Sequence, residues 1–379
     1  MKKFRSRILF LLVLTAALCA QDKKEVTIKV QAPNLQQGSV IYVTGNNDDL
    51  GNWNPAAVPL KMLKDSIWTK TFEFSKGEIV EFKITRGSWD KERLNKDGSV
   101  PSNTVLKVTS DTTIYFVVNK WADQFERKIT AHGQITGDVE YIKGLEGDGI
   151  LPRDIIIWLP PDYEKNKEQR YPVLYMHDGQ NIIDPATSSF GYDWQVDEAA
   201  DSLIKARIIK KIIIVGIYST ADRNLDYGGA KSDDYMKFVV KKLKPLIDKK
   251  YRTKPGRKNT AVAGSSLGGL ISFMMLWKYP DVFSEGACIS PAFHIEKYNC
   301  LPMVEKTKSK KPVRIYIDNG GVGLEEKLQP GVDEMLALLK EKGYKEGKDL
   351  EYFKDADAEH NERFWAKRVW RPLEFLFAR

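Results

Sequence analysis

Gly264-Ser265-Ser266-Leu267-Gly268 is a G-x-S-x-G pattern, and its flanks decide how the second half of the chain folds. Asn259 to Ala263 reads N-T-A-V-A, a short β-compatible run. Leu267 to Trp277 reads L-G-G-L-I-S-F-M-M-L-W, too apolar for a surface helix and long enough for a buried one. Tyr279-Pro280 ends that run, because the residue before a proline is biased away from helix. A free serine hydroxyl is a poor nucleophile at neutral pH. A sharp strand-to-helix turn can hold its oxygen above a sheet, within reach of a histidine that takes the proton. Such a turn leaves little room, which is why glycine stands two residues to either side of Ser266.

The elements around this elbow alternate. Asp154 to Leu159, Val173 to Met176, Lys211 to Tyr218, Arg314 to Ile317 and Leu350 to Phe353 read as strands. Helical spacing falls at Asp197 to Ile208, from Ser232 through Leu243, and near Val332 to Lys342. Strands alternating with helices predict a doubly wound, mostly parallel sheet whose site lies beyond the carboxyl ends of its strands. Residues 24–119 follow a different rule, with apolar residues alternating at period two. Val26, Ile28 and Val30, then Val40 and Tyr42, Phe72 and Phe74, Val80, Phe82 and Ile84, and Ile114, Phe116 and Val118 form successive faces. That pattern predicts an all-β sandwich. The expected organisation is a leader at 1–20, a β-sandwich domain at 21–121, a linker at 122–137 and an α/β-hydrolase domain at 138–379.

An α/β-hydrolase orders its triad as nucleophile, acid, histidine. Only His294 and His360 follow Ser266. No strand that could carry an acid separates His294 from the serine, so His360, between the Leu350 strand and the terminal helix, is the expected general base. The acid belongs after the strand Arg314–Ile317, where Asp318 and Glu325 both qualify and Glu326 adds a further ambiguity. The oxyanion hole takes the amide of Leu267 and a second amide from the loop His177-Asp178-Gly179-Gln180-Asn181, expected at Gln180.

The remaining composition narrows the function classes. The chain has 379 residues and a net charge of +8, with 42% hydrophobic and 29% charged residues. Lys2, Lys3, Arg5 and Arg7 precede an apolar run from Ile8 to Leu18, the pattern of a cleaved secretory leader and too short to span a bilayer. Leu18 stands before Cys19 where a lipoprotein signal carries a small residue, so a secreted or periplasmic protein is expected ahead of a lipidated one. Without the leader the net charge falls to +4, and the remaining lysines are scattered. No arginine stripe interleaves with aromatics, which argues against nucleic acid as a partner. No Cys/His cluster has zinc spacing, so neither metal nor cofactor is expected. Cys288, in an apolar run, reads as a small buried hydrophobe.

On these residues the chain resembles two known families. Val173-Leu174-Tyr175-Met176-His177-Asp178-Gly179, Gly264-Ser265-Ser266-Leu267-Gly268-Gly269, Ala358-Glu359-His360-Asn361, and Val215-Gly216-Ile217 followed by Arg223 and Tyr227 are similar to segments of a bacterial esterase family. Its members include S-formylglutathione hydrolases, enterochelin esterases, feruloyl and acetylxylan esterases and mycolyltransferases. The resemblance favours Glu325 over Asp318, since the family places its acid several residues beyond the strand-end glycine. Leu50-Gly51-Asn52-Trp53-Asn54-Pro55, Trp68, Glu81-Phe82-Lys83 and Gly87-Ser88-Trp89 resemble the starch-binding modules of carbohydrate-binding families 20 and 48. In such modules the residues matching Trp53, Lys83 and Trp89 form a sugar platform, while Trp68 is expected in the core. Together these imply a secreted serine esterase acting on acetyl or feruloyl esters of a polysaccharide. A siderophore esterase or acyltransferase is the alternative within the same chemistry, and a non-catalytic glycan-binding protein the alternative of another class.

Overall fold

The computed structural model describes residues 22–379, apart from 34, 36–37, 64–65, 89–90, 96–100, 102, 125–134, 190 and 296. The expected leader, most of the expected linker and Trp89 lie outside the described residues. The chain divides into two compact units, Met1–Ala122 and Asp123–Arg379.

The first unit packs two four-stranded sheets. Lys61–Met62, Ile67–Ser75, Lys23–Gln31 and Thr112–Val117 form one, with the last pair parallel. Val58–Pro59, Tyr42–Gly45, Ile79–Thr85 and Thr104–Lys107 form the other, antiparallel throughout. Alternate residues fill the space between them: Val26, Ile28 and Val30 from one sheet, Val80, Phe82 and Ile84 from the other, with Phe72, Phe74 and Trp68. One expected face is reversed. Ile41 and Val43 are fully buried, whereas Val40 and Tyr42 are only partly so. Val43 pairs with Ile84 across the antiparallel ladder, and paired residues share a face, so the core position of Ile84 dictates that of Val43.

The second unit is built on an eight-stranded sheet, ordered Leu350–Asp355, Arg314–Gly320, Glu285–Ile289, Thr260–Ser265, Val173–His177, Ile213–Ile217, Ile150–Leu159, Asp138–Gly147. The first six run parallel, Ile150–Leu159 runs antiparallel to them, and Asp138–Gly147 pairs antiparallel with Ile150–Leu159. Both faces are covered. Ile155 and Ile157 enter one core cluster and Ile156 and Trp158 the other, as expected of a strand with helices on either side. The edge strand Asp138–Gly147 carries an alternating, largely exposed pattern, which is why its sequence lacks the apolar signature of the central strands. Among the described residues no helix is long and apolar enough to cross a membrane.

One helix begins well before its sequence suggests. Leu324–Glu341 is continuous through Pro330, although a proline inside a helix removes a hydrogen bond. The apolar face of Leu328, Val332, Met335, Leu336 and Leu339 is buried against the core, and that burial outweighs the local defect. Glu325 and Glu326 occupy its first turn, where the helix dipole favours negative charge.

Candidate active site

The strand Thr260–Ser265 feeds directly into the helix Leu267–Lys278. Ser266 joins them with φ 56° and ψ −122°, a conformation that costs strain for any residue with a Cβ. A Cβ on Gly264 would lie 2.7 Å from the backbone of Gly268, so the turn closes this tightly only with glycine at 264; a Cβ on Gly268 would stand 3.3 Å from Asp178 Oδ2. Ser266 donates its amide to Ile289 O (3.0 Å), and its carbonyl accepts from Ala292 N (3.1 Å). From Thr260 to Phe273 it is the single residue that is not buried. The fold presents one hydroxyl at the strand's carboxyl end.

His360 stands on the loop between the strand Leu350–Asp355 and the helix Glu362–Arg368. Its Nδ1 lies 3.2 Å from Glu325 Oε1, off the ideal hydrogen-bond angle and with no other partner. That leaves Nε2 as the nitrogen free to take a proton. The two loops are stitched together, since the amides of Gly321 and Val322 both donate to Ala358 O at 3.1 Å. A Cβ on Gly320 would stand 2.4 Å from the same carbonyl and 2.7 Å from Glu325 Cγ, so a glycine is required for that approach. The His360 ring meets the edge of Trp365 with centroids 5.0 Å apart, and Trp365 packs on buried Trp194 at 5.1 Å.

Asp318 ends its strand elsewhere. Its carboxylate accepts from Arg368 Nε (3.1 Å), from the Tyr316 hydroxyl (3.2 Å) and from the Ser290 amide (3.3 Å). Burial raises the Asp318 carboxyl above its ordinary value despite Arg368, and Glu325 adds to the rise. Burial pushes Glu325 the same way, but His360 and then Ser290 more than offset it and hold that carboxyl below its ordinary range. Two fully buried acids therefore sit side by side with opposite shifts. Ser290, Trp365 and Arg368 complete this cluster and went unnoticed in the sequence, where no motif singles out a serine after a strand or an arginine in a terminal helix.

The loop after Val173–His177 turns at Asp178, φ 57°. Arg223 clamps Asp178 with two bonds, Nε to Oδ1 at 2.7 Å and Nη2 to Oδ2 at 2.8 Å. Tyr227 Oη accepts from the Asp178 amide at 3.2 Å. The loop is thus braced, and the side chain of Gln180 is tied to Ser219 through both Nε2 and Oε1. Leu267 opens the elbow helix, so its amide has no partner within that helix. His177 is buried against Tyr235 Oη at 2.8 Å, and burial pushes its pKa down to about 3. His294 pairs with Glu334 at 2.7 Å on the surface.

Asp193, Asp197 and Glu198 each bring an oxygen within 4.8 Å of the others. Desolvation raises all three, Asp193 to about 6 and Glu198 to about 8, with Asp197 adding to the rise at Glu198. A search limited to cysteine and histidine spacing does not reveal an all-oxygen group of this kind. Thr136 donates to Asp197 Oδ2 from its amide (2.7 Å) and hydroxyl (3.1 Å).

In the sandwich unit Trp53 is half-buried at φ 62°, with its amide donating to Gly45 O at 2.7 Å. Lys83 Nζ donates to buried Glu92 at 3.1 Å, and its side chain is 14% exposed. Trp68 is buried in the sandwich core.

Comparison with known proteins places these features in a family. Residues 151–373 match the family described as "Putative esterase", and residues 23–133 match the starch binding domain. An endo-1,4-beta-xylanase/feruloyl esterase of Xylanibacter ruminicola is 30% identical over 199 residues, 50% of this chain and 25% of that protein. The chain thus spans about a quarter of that relative's length. A ferulic acid esterase structure superposes with a TM-score of 0.53 at 21% identity, over 63% of this chain and 98% of the other. The enterobactin esterase of Shigella flexneri superposes with a TM-score of 0.54 at 14% identity, over 93% of this chain and 92% of the other. At these identities the two structures show a shared fold. With its family model spanning more than half of its length, the chain belongs to the "Putative esterase" family, on an α/β-hydrolase fold.

Proposed function

We propose that the chain is a secreted enzyme that hydrolyses acyl esters carried on a polysaccharide, with acetyl and feruloyl groups as the acyl classes. Ser266 attacks the ester carbonyl, and His360 Nε2 takes its proton and returns it to the leaving alcohol. Glu325 orients the ring and stabilises its charge as the imidazolium forms. The amides of Leu267 and Gln180 receive the oxyanion, and water then clears the acyl-enzyme. The observation that carries this reading is the 3.2 Å approach of Glu325 Oε1 to His360 Nδ1, joined to a serine held at a strained elbow in the right chain order. The test is hydrolysis of a p-nitrophenyl ester by the wild type and Ser266→Ala; equal rates in the two would sink the assignment.

The polysaccharide part of the reading rests on the match of residues 23–133 to a starch binding domain. Trp53, and Trp89 with it, supply the stacking faces, because indole packs on the apolar face of a pyranose. Lys83 supplies an edge cation. The secreted location rests on the leader pattern at residues 1–20. A siderophore ester is the second substrate reading, favoured by the fold shared over 93% of the chain with the enterobactin esterase. Comparing release from feruloylated or acetylated oligosaccharides with cleavage of a catecholate trilactone separates the two.

A further inference from the structure

Ser290 follows the strand Glu285–Ile289 with φ 43°, a left-handed conformation that glycine adopts freely and serine does not. A serine held there against its backbone preference is held for its hydroxyl. That hydroxyl is fully used. Its oxygen accepts from Trp365 Nε1 at 3.0 Å and from Arg368 Nη2 at 2.8 Å. Indole and guanidinium nitrogens only donate, so the one hydroxyl hydrogen is directed to Glu325 Oε1, 2.5 Å away. This is the same carboxylate oxygen that faces His360 Nδ1. Arg368 reaches Asp318 with Nε and stands 3.9 Å from Glu325 Oε1. It lies between the two buried acids. Trp365 carries the restraint onward, since its ring forms the wall on which His360 rests.

We propose that Ser290 and Arg368 are positioning residues of this esterase, aiming Glu325 Oε1 at His360 and moderating the charge that the imidazole meets. The proposal rests on His360 acting as the base with Glu325 as its partner. A hydrogen bond donated to Oε1 and a cation beside it both draw charge away from that oxygen. The imidazolium is then stabilised enough to accept the serine proton and not so much that it keeps it. The other charged or titratable groups facing Glu325 are Asp318 at the neighbouring strand end and Tyr352 from the strand Leu350–Asp355. Neither donates to Oε1 in place of Ser290.

The experiment compares wild type, Ser290→Ala, Ser290→Gly and Arg368→Lys, as full-length proteins, in the pH profile of kcat/KM on a p-nitrophenyl ester. Both Ser290 variants are expected to lose about tenfold in kcat, the scale of one hydrogen bond to a charged group. The acid limb should move up by roughly half a pH unit as the unshielded carboxylate holds the imidazolium more tightly. Arg368→Lys keeps the charge but cannot reach Asp318 and Ser290 together, and should move the limb the same way. Ser290→Gly also removes the backbone strain, so a folded variant is available even where alanine weakens the protein. An acid limb that stays in place or moves down in both Ser290 variants overturns the proposal and leaves the hydroxyl a purely structural group. His360→Ala, assayed alongside, separates this outcome from failure of the base assignment itself, which full activity in that variant would signal.

Discussion

Glu325 approaches His360 from the first turn of a helix, with Oε1 3.2 Å from the imidazole Nδ1. Asp318, seven residues earlier and equally buried, gives its carboxylate to Arg368. The two acids therefore have separable consequences. Glu325→Gln should lower kcat on the order of 10³-fold or more, since the ring loses the partner that selects its tautomer. Its melting temperature should change little beside that loss. Asp318→Asn should instead leave buried Arg368 with only the more distant Glu325, 3.9 Å away, as counter-charge, a loss of up to about 3–5 kcal/mol in stability. Thermal melts and single-substrate kinetics on the pair check this; an inactive, fully stable Asp318→Asn would reverse the assignment.

Ser266 stores backbone strain at the elbow. Replacing it by glycine removes both the proposed nucleophile and the strain, whereas alanine removes only the hydroxyl. Ser266→Gly is expected to be more stable than Ser266→Ala by about 1 kcal/mol. Denaturant unfolding of the two inactive variants measures the difference, and equal midpoints would mean the elbow is relaxed.

The acidic group of Asp193, Asp197 and Glu198 makes stability depend on pH. All three hold a proton more tightly in the folded protein than in the unfolded chain, chiefly through desolvation. Their contribution is complete below the ordinary carboxyl values of 3.8 to 4.5, and is lost as pH rises through about 6 for Asp193 and about 8 for Glu198. Glu198→Gln removes a carboxyl that resists ionisation. It should raise the melting temperature by roughly 2–4 °C at pH 9 and leave it nearly unchanged at pH 4. A uniform shift at both values would refute the linkage.

Glycan retention should depend on Trp53 and Trp89. Trp53→Ala and Trp89→Ala are each expected to weaken binding to insoluble starch about tenfold, the loss of one stacked ring, with esterase activity on a soluble substrate intact. Lys83→Ala adds a stability cost of about 1–3 kcal/mol because it leaves Glu92 buried without its cation. Depletion of the protein by a starch slurry reads the first effect and a thermal melt the second. Unchanged retention in both tryptophan variants would remove these rings from any sugar site.

Much of the architecture was legible because burial imposes periodicity. A strand covered on both faces must be apolar throughout, so Ile213–Ile217 could be seen directly. A sandwich strand must alternate, so Val26, Ile28 and Val30 could be seen as well. The slip at Val40 and Tyr42 has the same origin in reverse. Val40 to Val43 is apolar at every position, and only pairing with Ile84 selects Ile41 and Val43 as the inward set. The start of the helix at Leu324 was hidden because Pro330 argues locally for a break that long-range packing overrules.

By itself the sequence determined the elbow, the order of serine and histidine, the two-domain plan and the family resemblance. These depend on local rules: glycine spacing, hydrophobic period and chain order. Chain order did not choose between Asp318 and Glu325, because both follow the same strand; only the family resemblance favoured Glu325. The difference between their surroundings arises only in three dimensions. Ala358 O ties the two loops together, Arg368 occupies Asp318, and Ser290, 35 residues away from Glu325 in the chain, donates to the carboxylate oxygen that faces His360. Interactions between groups so distant in sequence arise only when packing brings them within a hydrogen bond of one another.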